Sequence, residues 1–175
     1  SKGYVAFAIG AQHYTKRLPT ERIIELCEKL QRPIILLGGK EDAAVGEEIA
    51  AFFDTRHKTQ DTRQSAGTTI IYNACGRYNL NGSASLVRQA EQVVSHDTGL
   101  MHIAAAFQKD IISVWGNTIP EFGMYPFRTR YKVLEVKGLS CRPCSKIGYS
   151  KCPKGHFKCM RNIDFSEIER LEFKN

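Results

Sequence analysis

The chain has 175 residues and a mass of 19.7 kDa, a size that accommodates one domain with a buried core and is short for two. Its 25 Lys and Arg outnumber its 18 Asp and Glu, but the surplus lies in one place, because residues 137–161 contain seven basic residues and no acidic one. Proteins coated with nucleic acid spread positive charge over a binding face, so this distribution argues against that class.

No stretch approaches the roughly 18–20 apolar residues needed to cross a bilayer, and the first residues lack the apolar core of a signal peptide. We therefore expect a soluble, cytoplasmic protein. Its cysteines should be thiols or metal ligands rather than disulfides, since the cytosol is reducing. The apolar pattern begins at once at Tyr4, which suggests a piece of a longer chain.

Short apolar runs alternate with amphipathic segments along the chain. The runs are nearly continuous in Val, Ile, Leu and aromatic residues, which is typical of strands buried on both faces. They cover residues 4–9, 34–37, 69–72, 92–95, 111–115 and 131–136. This alternation predicts an α/β fold, with a Rossmann-like parallel sheet, right-handed crossovers and helices on both faces.

Two of the predicted helices carry an apolar stripe at helical spacing. Their inward positions are Ile23, Ile24, Cys27 and Leu30 in the first, and Ile49, Phe52 and Phe53 in the second. Cys27 and Cys75 have apolar neighbours, so we expect both in the core. The tail from residue 164 to 173 predicts a short helix capped by Asp164 or Ser166.

The fourth strand runs into a polar turn that could bind an anion. Its sequence is His96-Asp97-Thr98-Gly99-Leu100-Met101-His102, and ligands of parallel sheets bind at the carboxyl ends of strands. Asp97 or Thr98 can cap the following helix, and Gly99 lets a ligand approach the backbone. The unpaired amides and dipole of a helix N-terminus attract a phosphate. The alternative is a capped structural helix without a ligand, and the turn alone leaves both open.

Several motifs together resemble the heptosyltransferases, glycosyltransferase family 9. The signature is carried by Asn79-Leu80-Asn81-Gly82, Ser85-Leu86, Gln92-Val93-Val94 and residues 97–106. Two further segments are similar to the family's Lys-x-Trp-Pro and Gly-x-Thr-x-Pro motifs, namely Lys16-Arg17-Leu18-Pro19 and Gly116-Asn117-Thr118-Ile119-Pro120. Cys141-Arg142-Pro143-Cys144, Cys152-Pro153 and Cys159-Met160 resemble a cysteine-bearing tail of many members. The resemblance covers nearly the whole chain.

The resemblance implies the C-terminal half of a GT-B fold. A nucleotide-sugar-binding domain would span residues 1–136, a basic, cysteine-rich segment residues 137–163, and a C-terminal helix residues 164–175. The implied reaction is inverting and metal-independent, and transfers heptose or a related sugar from a nucleoside-diphosphate sugar to an acceptor of the lipopolysaccharide-core type. The general base and the acceptor surface would belong to the N-terminal GT-B domain of the same parent chain. We therefore expect no catalytic residue in this chain, and no transfer by it alone.

By the same resemblance, eight residues would bind the donor: Lys16, Glu41, Asp97, Thr98, Gly99, Leu100, Met101 and His102. Residues 98–101 would offer amides, and Thr98 also its hydroxyl, to the diphosphate, with Lys16 as a flexible point charge. Glu41 would suit ribose or sugar hydroxyls. Asp97 would cap the helix and hold hydroxyls of the sugar. His102 would either support Asp97 or a phosphate, or be a packed core residue.

Two positions depart from the family's pattern, and one other class of function stays open. Leu18 replaces a usual Trp, which predicts a smaller apolar wall of the site. His96 stands where Asn is common before the aspartate, and either change could alter the donor that is accepted. The other class is a nucleotide-binding or regulatory module that keeps the phosphate site and transfers nothing.

The cysteine segment, residues 137–163, allows several interpretations. Cys141, Cys144, Cys152 and Cys159 could hold a structural zinc through four thiolates, with His156 as a substitute ligand. A zinc ribbon has a second close Cys-x-x-Cys pair, which this segment lacks, so free or partly oxidised thiols are the favoured alternative. We expect no cofactor for catalysis.

The basic residues of the cysteine segment have two interpretations as well. They form a solvated loop, or they face phosphorylated lipid core or the anionic inner leaflet, which would make the protein peripheral on the inner membrane. A nucleic-acid partner is not expected, because stacking aromatics are needed and the segment has only Tyr149 and Phe157.

Overall fold

A computed structural model describes residues 3–59, 69–166 and 168. Within this part the sheet has six strands, all parallel, in the order β3-β2-β1-β4-β5-β6. The strands are β1 (Val5–Ala8), β2 (Ile34–Leu37), β3 (Ile71–Asn73), β4 (Gln92–His96), β5 (Asp110–Trp115) and β6 (Tyr131–Glu135). The helices are α1 (Thr20–Leu30), α2 (Ala43–Thr59), α3 (Leu80–Gln89), α4 (Gly99–Ala106) and α5 (Lys158–Arg161). The predicted parallel α/β sheet is confirmed, with strand ends within two residues of expectation.

The sheet has a separate apolar core on each face, because successive residues of a strand point to opposite sides. Val5 and Phe7 of β1 join the core that α1, α2 and α5 cover, whereas Ala6 joins the core under α3 and α4. Helices therefore cover both faces, as predicted.

The order of the strands places the ends of β1 and β4 side by side. The chain moves outward from β1 through β2 to β3, and then returns to add β4 next to β1. Such a reversal opens a crevice at the carboxyl ends of the two central strands. The segments that follow β1 and β4 must therefore face each other across this crevice.

The prediction that Phe52 points inward from α2 is wrong. Ile49 and Phe53 are buried one turn apart, but Phe52 is 39% exposed. Phe52 lies at the margin of the stripe, where its ring meets Phe53 edge-on at 5.3 Å and the Arg56 guanidinium at 5.5 Å. Cys27 and Cys75 are buried as predicted.

The predicted C-terminal helix over residues 164–175 lies mostly outside the described residues. In its described part, the amide of Ser166 donates to Asp164 Oδ1 at 2.8 Å. Among the residues described, no helix combines the length and apolar character that crossing a bilayer requires.

The cysteine segment is built into the domain at both ends. Phe157, Cys159 and Met160 are buried in the core on the α1 face. Nearer its start, the Arg142 guanidinium donates to the carbonyls of Gly116 and Thr118 and to Glu135 Oε2, at 2.6, 3.0 and 2.6 Å. Arg142 and Glu135 are both more than nine-tenths buried, so this pair fixes the segment to β6 and to the loop after β5.

Arg142→Met should lower the free energy of unfolding by about 3–5 kcal/mol, because it removes the buried partner of Glu135 and leaves only the exposed Lys137, 4.0 Å away. Arg161→Met is the matched control in the same segment, since Arg161 pairs with Glu21 and both side chains are more than half exposed. That exposed pair should contribute about 0–1 kcal/mol. Urea unfolding of both variants measures the difference, and equal losses would contradict a structural role for Arg142.

Candidate functional site

An ion pair bridges the crevice between β1 and β4. Lys16 ends a 3-10 turn, Tyr14–Lys16, that follows β1, and Asp97 directly follows β4. The Lys16 Nζ lies 2.6 Å from Asp97 Oδ2, and the Thr118 hydroxyl donates to the same oxygen at 3.2 Å. The Asp97 side chain is only 5% exposed. The sheet topology thus brings together two residues that the sequence placed 81 positions apart.

Asp97 does not cap α4, so that part of its predicted role is wrong. The residue at the N-cap position is Thr98, whose side chain makes no capping hydrogen bond. Its hydroxyl lies 3.4 Å from the Ser95 hydroxyl instead, while the Asp97 carboxylate is engaged by Lys16 and Thr118. The first amides of a helix have no acceptor within it, and here no side chain of Asp97 or Thr98 takes that place.

Three of the four predicted phosphate-binding amides remain for a ligand. These are the amides of Thr98, Gly99 and Leu100 at the start of α4. Met101 is the exception, because its amide donates to the Thr98 carbonyl at 3.1 Å and its side chain is fully buried. A Cβ on Gly99 would meet no atom within 4 Å, so the backbone there is open to an incoming group.

Two cavities meet at the N-terminus of α4. They share Gln12, Thr98 and Gly99 as wall residues. The smaller cavity, of about 240 Å³, continues towards Lys16, Asp97, His102, Met124 and Ile147. The larger, of about 550 Å³, continues towards Gly38, Gly39, Glu41, Tyr78 and Leu100. Every predicted donor residue except Met101 therefore lines at least one of them.

The structure decides between the two interpretations of His102. Its side chain is exposed and lines the smaller cavity, so the packed-core interpretation is wrong. Glu41 is also exposed and stands at the larger cavity, a position from which its carboxylate can accept from ligand hydroxyls.

Sequence reasoning missed a second buried carboxylate, Asp42. Its Oδ2 accepts from the Gly39 amide at 2.8 Å, and its Oδ1 lies 3.1 Å from the Arg17 guanidinium. A Cβ on Gly10 or Gly38 would collide with this carboxylate, so both glycines are needed for the close approach. The available sequence signal for Asp42 was an acidic residue shortly after Gly38-Gly39 at the end of β2. Its partner Arg17 is 25 positions away, so the sequence alone did not indicate the pair.

His96 was noted only as a departure from the family pattern, yet it connects the two sides of the crevice. Its ring is fully buried, and Nε2 accepts from the Leu18 amide at 3.0 Å. Burial, together with the nearby Arg17 charge, lowers the pKa of His96 to about 3, so the ring is neutral. Leu18 itself is buried in the core and lines neither cavity, so a smaller apolar wall of the site stays a prediction.

The cysteines are all free. In the cysteine segment the Cys144 thiol donates to the Cys141 carbonyl at 2.8 Å. Burial, with neighbouring cysteines, raises the pKa of Cys159 to about 11. Within the described ranges, no three His, Cys, Asp or Glu side chains are grouped to hold a metal ion. Structural zinc on Cys141, Cys144, Cys152 and Cys159, with His156 as a substitute ligand, stays a prediction.

The chain is thus an α/β domain with a Rossmann-like parallel sheet, and Lys16, open helix amides and two joined cavities lie at its topological switch point, where sheets of this kind bind ligands. The family model for glycosyltransferase family 9 (heptosyltransferase) matches residues 1–154. The chain therefore belongs to glycosyltransferase family 9.

Relatives agree with this assignment. Lipooligosaccharide heptosyltransferase 2 of Haemophilus influenzae is 32% identical over 122 residues, which are 67% of this chain and 32% of that protein. The structure of E. coli ADP-heptose lps heptosyltransferase II has a TM-score of 0.63 at 24% identity, covering 92% of this chain and 46% of that one. The iron-containing dodecameric heptosyltransferase TibC, solved with ADP-D-beta-D-heptose, has a TM-score of 0.61 at 18% identity over 97% of this chain and 44% of its own. The curated match thus spans about a third of its relative's length, and the two structural matches less than half.

His96 should make the domain less stable in mild acid. Its pKa is about 3 in the folded chain against an ordinary 6.5, so between these values the unfolded chain binds a proton that the folded chain does not. Stability attributable to His96 is therefore lost as the pH falls from about 6.5 towards 3, and amounts to about 2 kcal/mol by pH 5.

The measurement is urea unfolding at pH 7 and pH 5, with His96→Gln as the control. Gln keeps an acceptor for the Leu18 amide but does not titrate. The variant should lose about 2 kcal/mol less than the wild type between the two pH values. Parallel curves for the two proteins would contradict a buried, neutral His96.

Proposed function

We propose that this chain is the donor-binding half of an inverting glycosyltransferase, which moves heptose or a related sugar from a nucleoside diphosphate to an acceptor of the lipopolysaccharide-core type. The observation that carries the proposal is the position of Lys16 and Asp97 beside the open amides of α4, where two cavities meet. Family membership and relatives named for ADP-heptose and lipopolysaccharide support it.

The two cavities suit the two ends of a nucleotide sugar. The larger, at about 550 Å³, has room for a nucleoside, with Glu41 placed for ribose hydroxyls. The smaller, at about 240 Å³, matches a single sugar, with Asp97 and His102 as polar partners for its hydroxyls. The diphosphate then lies at their junction, against the amides of Thr98, Gly99 and Leu100.

The charges of the site fit the charge that develops during transfer. The acceptor oxygen forms a bond to the anomeric carbon while the bond from that carbon to the diphosphate oxygen breaks, and the acceptor's proton passes to a base. Negative charge grows on the leaving phosphate, so donors already aimed at it stabilise the transition state more than the ground state.

Lys16 and the helix amides act together on this leaving group. A helix dipole alone contributes roughly 0.3–1 kcal/mol, whereas loss of one preorganised donor typically costs about 2.7–4 kcal/mol of barrier. A cation and three amides therefore supply the stabilisation that a divalent metal provides in other transferases, which is why we infer that transfer is metal-independent.

We assign the general base and the acceptor-binding surface to the N-terminal GT-B domain, which would close over the crevice from the side of the two cavities. This chain alone is then expected to bind the donor and to transfer nothing. The alternative function, a nucleotide-binding or regulatory module, shares the site. Transfer by the parent protein, with a donor bound here, separates the two.

The lysines of the cysteine segment are candidates for contact with anionic lipid at the inner membrane. Arg142 and Arg161 are engaged by Glu135 and Glu21, and Lys137 lies 4.0 Å from Glu135. The remaining charge is that of four exposed lysines, Lys146, Lys151, Lys154 and Lys158. Near an anionic surface each adds about 1 kcal/mol. Sedimentation with anionic vesicles should exceed that with neutral ones, and Lys151→Gln with Lys154→Gln should reduce it. Equal sedimentation leaves a solvated loop.

The donor site is tested by calorimetry with ADP. The wild-type chain should bind ADP, and Lys16→Met should weaken ADP binding by about 1.5–3 kcal/mol, roughly tenfold to 150-fold, because a charged donor to the phosphates is lost. Lys132→Met is the control, since Lys132 is an exposed lysine on β6. Its affinity should equal that of the wild type.

Two results would contradict the proposal. One is the absence of ADP binding at millimolar ligand, and the other is binding that Lys16→Met leaves unchanged. A titration in EDTA tests metal independence, and unchanged affinity is expected. Elemental analysis for zinc and iron on untreated chain reports separately on the four cysteines, because they lie outside the walls of both cavities.

A further inference from the structure

The cysteine segment lies directly against the turn that carries Lys16. The Thr15 amide donates to the Tyr149 carbonyl at 3.1 Å, and the Tyr149 amide donates back to the Thr15 hydroxyl at 2.8 Å. Next to this pairing Gly148 has φ +129, and a Cβ there would collide with the His13 side chain. Two backbone segments that are 134 positions apart therefore pack with no room between them.

The same stretch is fixed at its other end. Arg142 is bound to the carbonyls of Gly116 and Thr118, and the Cys144 amide donates to the Asn117 carbonyl at 3.1 Å. Residues 145–148 thus form a short bridge between two anchored points, and their position relative to the crevice is set by both.

This bridge points an apolar side chain into the smaller cavity. The Ser145 hydroxyl accepts from the amides of Ile147 and Gly148, both at 3.0 Å, which folds the bridge into a turn with Ile147 at its tip. Ile147 is 66% exposed, yet it lines the cavity together with Met124, which is 45% exposed. Lys16 and Asp97 line the same cavity, so it has both charged and apolar wall residues.

We propose that Ile147 and Met124 form the apolar wall of the sugar subsite and help to determine which sugar is accepted. The inference rests on the proposed function, since it assigns the smaller cavity to the sugar. A sugar presents hydroxyls that Asp97 and His102 can bind, and C–H groups that pack on apolar side chains. Ile147 and Met124 offer no polar partner, so this side of the subsite favours the C–H groups of the sugar over a charged substituent.

The test compares the affinities of the 175-residue chain for ADP-heptose and for ADP. Their ratio isolates the sugar's contribution. Ile147→Ala should weaken the binding of ADP-heptose by about tenfold, the scale of a lost apolar contact in a pocket, and leave the affinity for ADP unchanged. Ile147→Trp should weaken the binding of ADP-heptose further, because the larger side chain fills the cavity. Ile70→Ala is the matched control, because Ile70 is similarly exposed, at 59% against 66% for Ile147, and precedes β3 at an edge of the sheet.

Each outcome is informative. Loss of ADP-heptose affinity in both Ile147 variants, with ADP unchanged and Ile70→Ala silent, supports the wall. The proposal is overturned if the wild type and both Ile147 variants bind ADP-heptose with equal affinity, or if the variants weaken ADP-heptose and ADP binding equally. In either case, ADP binding by the wild type would still support the donor site. If wild type binds neither ligand, the proposed function and the wall fail together. The methyl NMR signal of Ile147 gives a second measurement, since it should shift with ADP-heptose and not with ADP.

Discussion

The Lys16–Asp97 ion pair holds the crevice together, and the geometry of the site depends on it. Two charges taken out of water lose hydration that their mutual attraction regains only with good geometry and further hydrogen bonds. Here the hydroxyl of Thr118 supplies such a bond to the carboxylate. We therefore interpret the pair as a device that orients groups rather than as a large source of stability.

An oriented lysine can still serve a ligand. An ammonium group has three donor hydrogens, and Asp97 Oδ2 occupies one direction, so a phosphate oxygen can be bound without breaking the pair. Asp97 limits the many rotamers of a lysine before the donor arrives, which reduces the entropy lost on binding. The entropy that Lys16 loses in this way is offset during folding by the contacts that hold the turn.

Those contacts come from three sides of the turn that carries Lys16. His96 binds the Leu18 amide from β4, Asp42 binds Arg17 from the end of β2, and Tyr149 pairs with Thr15 from the cysteine segment. All three join residues at least 25 positions apart. Sequence periodicity predicted the strands, because burial on both faces leaves continuous apolar runs, and motif resemblance singled out seven residues that line the two cavities. Neither signal carries long-range polar pairing, so Asp42 and the role of His96 emerged only from the folded chain. The prediction for Phe52 was wrong for a related reason, since helical spacing predicts an apolar stripe but not where the margin of that stripe meets solvent.

The positive charge of the cysteine segment divides into two physically different groups. The Arg142 guanidinium is planar and has five donors, which lets one buried side chain satisfy two loop carbonyls and Glu135 at once, a task that a lysine cannot perform. The exposed lysines carry no such constraint and keep their charge in solvent. Because Arg142 holds the loop that contains Thr118, and Thr118 donates to Asp97, a chain of hydrogen bonds links the cysteine segment to the crevice. Among the basic residues of the segment, the one connected to the crevice in this way is therefore the one that the fold has buried.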